Sequence, residues 1–103
     1  MNGLILALAL AAATANPNAP GVIGPGTATC ERSMRPGLMG RVSDYVWGVW
    51  SGMNMAGNTP NVGHSTDEHG IVRQVILVCG AAPELPLALA ILAVHMRFEK
   101  LHL

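Results

Sequence analysis

Residues 41–56 (RVSDYVWGVWSGMNMA) carry the apolar pattern that most constrains the fold of this chain. A β-strand would alternate apolar and polar side chains, and this stretch does not. Its apolar residues instead recur with the spacing of one helix face, at Val42, Tyr45, Val46, Val49, Trp50 and Met53. The spacing predicts a central helix. Because apolar residues also lie beside that face, we expect this helix to be buried.

A row of small residues, Gly48, Gly52 and Ala56, runs beside the apolar face at four-residue spacing. Each glycine inside a helix is less favourable than alanine by about 1 kcal/mol. Small residues at this spacing form a groove that another backbone can enter. We therefore expect Gly48 and Gly52 to contact a second helix, which would compensate for the lost propensity.

The N-terminal residues have the pattern of an export signal. The apolar run 4–13 is followed by Ala13-Thr14-Ala15, which is typical of a signal-peptide cleavage site, although no Lys or Arg precedes the run. Ten apolar residues are too few to cross a bilayer, which takes about 20. An uncleaved anchor or a structural helix is the alternative. We predict a cleaved signal peptide at 1–15, a flexible Pro/Gly-rich leader at 16–29 and one domain at 30–103.

Cys30 and Cys79 stand on either side of the central helix. Exported proteins meet an oxidising environment, so two cysteines predict one disulfide. Closing a loop of this length contributes about 4 kcal/mol in the chain-entropy model. A catalytic thiol or a metal site would need a Cys-x-x-Cys motif or a nearby histidine, and the sequence has neither.

The residues Ser65-Thr66-Asp67-Glu68 predict the start of a second helix. In a capping box, Ser65 accepts from first-turn amides while Glu68 reaches back, and Asp67 adds charge that the helix dipole favours. The dense apolar residues that follow predict a helix over 66–79, ended by Gly80. Because Val and Ile are so frequent, a buried strand over 71–78 is the alternative.

A third helix is predicted from Leu85 onward, since proline at positions 83 and 86 stops the second helix. Its main apolar stripe is expected at Leu85, Leu89, Leu92 and Met96. The predicted fold class is therefore all-α, a small bundle of three to four helices with one disulfide, following a cleaved signal peptide.

Tyr45, Trp47, Trp50 and Met55 form the aromatic and sulfur-rich part of the sequence. Such residues usually pack in a core. They also dominate protein-binding surfaces, where Met adapts to varied partners. We predict a partner-binding role for these four residues, with Trp47 and Met55 the more exposed members.

No catalytic, metal or cofactor site is predicted. His64, Asp67, Glu68 and His69 lie close in sequence, but a helical metal site would use two histidines four residues apart. Capping and solvent exposure explain these residues without a metal. Ser51 lies in no nucleophile motif, and a chain of this length leaves little room for a substrate cleft.

Charge is sparse and balanced, with six Lys and Arg against six Asp and Glu. This balance provides no basic field for nucleic acid. We expect a protein partner or unfolded clients, no nucleic acid, no integral membrane span after signal cleavage, and a possible homodimer.

Several segments together resemble a known group of proteins. YVWGVWSGMN at 45–54 ends in Asn54, NVG follows at 61–63, and TD-x-x-GI at 66–71 contains Gly70 and leads to Cys79. With the export signal and the early cysteine, these segments resemble a group of small exported bacterial proteins. That group is similar to the HdeA-type periplasmic acid-stress chaperones and to the disulfide-bonded immunity proteins of type VI secretion.

The resemblance implies a helical bundle whose first and second main helices are joined by the disulfide, and which binds proteins without catalysis. HdeA-type chaperones are dimers that dissociate in acid and expose apolar surface to clients. We expect a periplasmic or secreted bacterial protein of this kind. The alternatives are an inhibitor or immunity protein for one folded partner, and a peripheral envelope component that uses residues 85–94 against a membrane.

Overall fold

The computed structural model describes residues 24–103, so the predicted signal peptide and most of the predicted leader lie outside the described residues. The described part begins with a 3-10 helix, Gly24–Thr27. Four α-helices follow: α1 Cys30–Ser33, α2 Met39–Ala56, α3 Glu68–Ala81 and α4 Leu87–Lys100. No strand occurs in residues 24–103. The described chain is an all-α bundle with one disulfide, as the sequence predicts.

The central helix α2 directs one face into the core. Val42, Val46 and Trp50, each separated by four residues, are buried, because side chains at this spacing lie on one side of a helix. Tyr45, Val49 and Met53 are half-buried beside them. The opposite side is exposed, so the expectation of a fully buried helix is wrong.

The expected contact at the glycine row is also wrong. Gly48 and Gly52 are exposed, and a Cβ atom added at either position would have no neighbour within 4 Å. The row lies beside the buried face of α2 but turns towards solvent. Nothing within residues 24–103 offsets the helix propensity that the two glycines lose.

Gly48→Ala and Gly52→Ala should therefore each raise the free energy of unfolding by about 0.5–1 kcal/mol, because alanine has less backbone entropy to lose on folding. Urea unfolding measures the change. Gly63→Ala is the matched control and should destabilise, because Gly63 has φ +100°, and its Cβ would lie 3.0 Å from Trp50 Nε1. A loss of stability in the α2 variants would contradict the solvent-facing position of the row.

The second main helix, α3, starts two residues later than predicted. Its N-cap is Asp67, whose carboxylate accepts from the Gly70 N–H at 2.8 Å. Ser65 is not the cap, because its own N–H donates to the Leu103 carbonyl at 2.9 Å and holds it outside the helix. The predicted capping box is thus replaced by a single Asp cap. The alternative of a strand over 71–78 is excluded.

The end of α3 also differs from the prediction. Gly80 lies within the helix, which continues to Ala81, and the C-cap is Ala82 with φ −139° and ψ 72°. A residue before proline is driven out of the helical region by the proline ring. Pro83, and not Gly80, therefore ends α3.

The buried face of α4 is formed mainly by Leu87, Ile91, Val94 and Phe98. Of the predicted stripe, Leu85 is buried, whereas Leu89, Leu92 and Met96 are only half-buried. Within residues 24–103, no helix is long and apolar enough to cross a membrane.

Residues 28–31, here called the N-terminal strap, join the start of the domain to the turn before α4. Backbone N–H groups of Cys30 and Glu31 donate to the carbonyls of Leu85 and Pro83, and the Leu87 N–H donates to the Ala28 carbonyl. These backbone bonds thus connect residues 28–31 to the rest of the described domain.

A disulfide joins Cys30, within this strap, to Cys79, and both cysteines are buried. It joins α1 to α3, and the two Cα atoms are 5.0 Å apart. The expectation from the resemblance, a link between the two main helices α2 and α3, is wrong. The predicted disulfide itself is present.

Candidate functional site

A partly buried polar network lies where α2, α4 and the connection 57–67 meet. The Val62 carbonyl accepts two hydrogen bonds, from Trp50 Nε1 at 2.8 Å and from Asn54 Nδ2 at 3.0 Å. Asn54 Oδ1 in turn accepts from His95 Nε2 at 2.8 Å. The network therefore links three separate parts of the chain through one carbonyl and one amide.

Helical spacing and one glycine position these groups. Trp50 and Asn54 are four residues apart on α2, so both face the same way. Gly63 takes φ +100°, and a Cβ there would lie 3.0 Å from Trp50 Nε1 and 3.1 Å from the Ile71 side chain. The absence of a side chain lets the backbone next to Val62 lie directly against the indole.

Aromatic contacts surround the network on the α4 side. The rings of Trp50 and His95 meet edge-on with centroids 4.8 Å apart, and those of Trp50 and Phe98 with centroids 5.6 Å apart. Edge-to-face geometry places positive ring edges against π-faces and adds about 0.5–1.5 kcal/mol to the burial of a pair. Trp50 is thus the centre of both the polar and the aromatic contacts.

His95 is the buried titratable group of this network, with 6% of its surface exposed. Because the Asn54 amide nitrogen donates to Val62, its oxygen faces His95, and His95 Nε2 carries the donated hydrogen. Burial lowers the pKa of His95, and the nearby carboxylate of Glu99 opposes this shift in part. The folded state therefore favours neutral His95.

The four predicted partner-binding residues occupy different environments. Trp50 is in the core, with 4% of its surface exposed, whereas Met55 is 87% exposed. Tyr45 and Trp47 are half-buried, and burial raises the pKa of Tyr45. Trp47 is less exposed than predicted, because its Nε1 donates to the Glu68 carbonyl at 3.0 Å and its ring meets His69 edge-on. Met55 alone has the exposure of a partner-binding residue in this state.

The polar cluster near the start of α3 is divided among structural roles. Asp67 caps α3, and the Gly70 N–H, with smaller effects from His69 and Arg73, lowers the pKa of its carboxyl. His64 Nε2 donates to the His102 carbonyl at 3.1 Å. Within residues 24–103, no three His, Cys, Asp or Glu side chains are grouped closely enough to hold a metal ion.

Two members of the network were not identified from the sequence. His95 follows Ile91 by four residues and precedes Phe98 by three, so helical spacing alone places it on the buried face of α4. That register was a usable signal. Val62 contributes through its backbone carbonyl, and no side-chain pattern indicates which loop carbonyl will be the acceptor.

Comparison with protein-family models, with curated proteins and with solved structures finds no match to this chain.

Proposed function

We propose that this chain is a non-catalytic, acid-responsive protein-binding domain of the bacterial periplasm or the secreted fraction. In this proposal, it holds its apolar core closed at neutral pH and offers it to unfolding clients in acid. The observation that carries the proposal is the burial of His95 at the contact between α2 and α4, which lowers the pKa of its imidazole. The Cys30–Cys79 disulfide supports an oxidising compartment.

Protonation of His95 would weaken this contact. A cation on the imidazole would lie in a buried site, and its neighbours from α2 and from the connection 57–67 are the Trp50 ring, the Asn54 amide and the Val62 carbonyl, which are uncharged. The charged group that acts on its pKa is Glu99, on its own helix. Burying a charge whose neighbours across the helix contact are uncharged is unfavourable. Acid is therefore expected to loosen the contact and expose the Trp50 face of α2.

The stability of the domain should fall as the pH drops below about 6.5, the ordinary pKa of histidine. Because the folded-state pKa of His95 is below the unfolded value, the unfolded state binds more protons in the window between them, and lowering the pH there favours unfolding. The contribution of neutral His95 to the free energy of unfolding is fully present above its pKa in the unfolded state. It is lost as the pH falls to its pKa in the folded state. Urea midpoints measured across this range test the prediction.

His95→Gln is the matched variant, because glutamine retains an N–H donor for Asn54 but does not titrate. It should remove this part of the pH dependence. The carboxyl of Asp67, whose pKa is also lowered, contributes in a more acidic window, below its unfolded value of about 4. An identical slope in the wild type and His95→Gln within the histidine window, just below about pH 6.5, would contradict the role of His95.

Client protection is the direct test of the proposed function. The oxidised chain is mixed with an acid-sensitive client, and light scattering is followed at about pH 3 and about pH 7, on either side of the histidine range. We expect suppression of aggregation in acid only. His95→Gln should shift its onset to lower pH, and Met55→Lys should have little effect on that onset. No suppression at either pH would refute the chaperone proposal.

The second candidate function is binding of one folded partner, as an inhibitor or immunity protein does. The observation that favours it is the exposure of large apolar side chains in the closed state, 87% for Met55 and 62% for Leu77. This proposal predicts capture of a partner at neutral pH that Met55→Lys or Leu77→Lys prevents. The same side chains could instead form a homodimer. Sedimentation of the chain alone distinguishes a homodimer from binding to a different folded partner.

A further inference from the structure

A cleft of about 380 Å³ lies away from the His95 network, between the 3-10 helix, α1 and the start of α2. Three arginines line it, Arg32, Arg35 and Arg41, together with apolar walls from Ala28, Leu38 and Val42. Cationic side chains beside apolar walls within one cavity are elements from which a ligand site can be built.

Positive charge is concentrated in the lining of this cleft. Arg32, Arg35 and Arg41 are half of the six cationic residues in the sequence, and no carboxylate lines the cleft. Residues 1–23, which precede the described part, contain no Asp or Glu. That segment therefore has no carboxylate side chain to pair with the arginines.

The backbone adds positive potential at the same place. Helix α2 begins at Met39 with Leu38 as N-cap, which makes no side-chain capping bond, and the first turn of α2 contains no acidic residue. By contrast, Asp67 caps α3 and Glu68 lies in its first turn. The positive end of the α2 dipole thus lies beside the arginine-lined cleft without an anionic side chain.

We propose that this cleft binds a small organic oxyanion, a phosphate or carboxylate attached to an apolar group. Guanidinium groups pair with both oxyanions through two parallel N–H···O bonds. Leu38 and Val42 would contact the apolar group. The cavity is at the small end of the range for ligand pockets, about 300–1,000 Å³. This proposal is independent of the acid response at His95.

Phenyl phosphate is the probe, titrated into the full ¹⁵N-labelled, oxidised chain at neutral pH. We expect saturable chemical-shift changes confined to amides of residues 25–42, and weaker binding at higher ionic strength. Arg35→Gln with Arg41→Gln should weaken binding at least about tenfold, which corresponds to about 1.4 kcal/mol. Arg73→Gln is the matched control, because Arg73 is an exposed arginine on α3 outside the cleft, and it should bind as the wild type does.

Further probes separate the parts of the ligand. Inorganic phosphate, which lacks the apolar group, and benzyl alcohol, which lacks the charge, should both bind more weakly than phenyl phosphate. Equal affinity for inorganic phosphate and phenyl phosphate would refute the proposal that the ligand carries an apolar group. If phenyl phosphate did not saturate, or if the double variant bound it with unchanged affinity, the cleft would not be an oxyanion site. Circular dichroism verifies that the double variant is folded, as expected for exposed side chains.

Vesicles of phosphatidylglycerol and phosphatidylcholine test the source of the oxyanion. Binding to phenyl phosphate and to vesicles, both lost in the double variant, would assign the site to a lipid headgroup. Binding to phenyl phosphate alone would assign it to a free small molecule. Binding to vesicles without binding to phenyl phosphate would refute the cleft as an oxyanion site.

Discussion

Replacing Trp50 by alanine should lower the free energy of unfolding by about 3–5 kcal/mol. The indole is buried, contacts the rings of His95 and Phe98, and donates to the Val62 carbonyl. Alanine would remove these contacts and leave a cavity between α2 and α4, which the surrounding helices can fill only in part. Urea unfolding followed by circular dichroism measures the change without relying on tryptophan fluorescence.

Trp47→Ala is the matched control, because Trp47 lies on the same helix but is half-buried. Its indole N–H donates to the Glu68 carbonyl in an exposed hydrogen bond. We expect less than half the effect of Trp50→Ala. Trp50→Phe keeps one ring but loses the N–H and part of the packed indole, and should destabilise by about 1–3 kcal/mol. Equal losses for Trp47→Ala and Trp50→Ala would contradict the assignment of the core.

Removing the disulfide should have an effect of similar size. Cys30→Ser with Cys79→Ser releases a link across a sequence separation of 49, which is worth about 4 kcal/mol in the chain-entropy model and about 2–5 kcal/mol in measured proteins. A small domain has a total stability of about 5–15 kcal/mol. The double variant should therefore be partly or largely unfolded in mild denaturant, as measured by urea titration.

Reduction of the wild type with dithiothreitol supplies the control, because it breaks the same bond without changing a side chain. Both routes should give the same urea midpoint within error. The N-terminal strap also holds Cys30 by backbone hydrogen bonds to residues 83–85. If these bonds were sufficient to fix α1, the double variant would unfold at the wild-type midpoint, and the predicted role of the disulfide would be wrong.

The parts of the fold that the sequence predicted are those set by local spacing. The apolar period of residues 41–56 located α2 and its Val42–Val46–Trp50 face, and the two cysteines predicted the disulfide. The start of α3 was misplaced because Ser65 is held by the Leu103 carbonyl, a contact across the fold that local rules do not contain. The row of Gly48 and Gly52 was misread because spacing shows which residues share a side, not what that side meets.

The candidate sites show the same limit. The register of α4 places His95 among buried residues. The network that includes His95 also needs Asn54 from α2 and the Val62 carbonyl from a loop, and the register of α4 does not predict these partners. The arginine cleft requires the turn between α1 and α2, where Gly37 adopts φ +90°. The motif Arg35-Pro36-Gly37 signals a turn, but it does not show that Arg32 and Arg41 will line the same cavity.

The disulfide and the His95 network hold different parts of the bundle and respond to different chemistry. Acid protonates histidine but leaves the Cys30–Cys79 bond intact, so a chain opened between α2 and α4 would still have α1 joined to α3. That covalent link restricts how far the opened chain can expand, because it keeps a long loop closed. On return to neutral pH, α2 would therefore repack against α4 while the disulfide still holds α1 to α3. This favours reversible opening over irreversible unfolding.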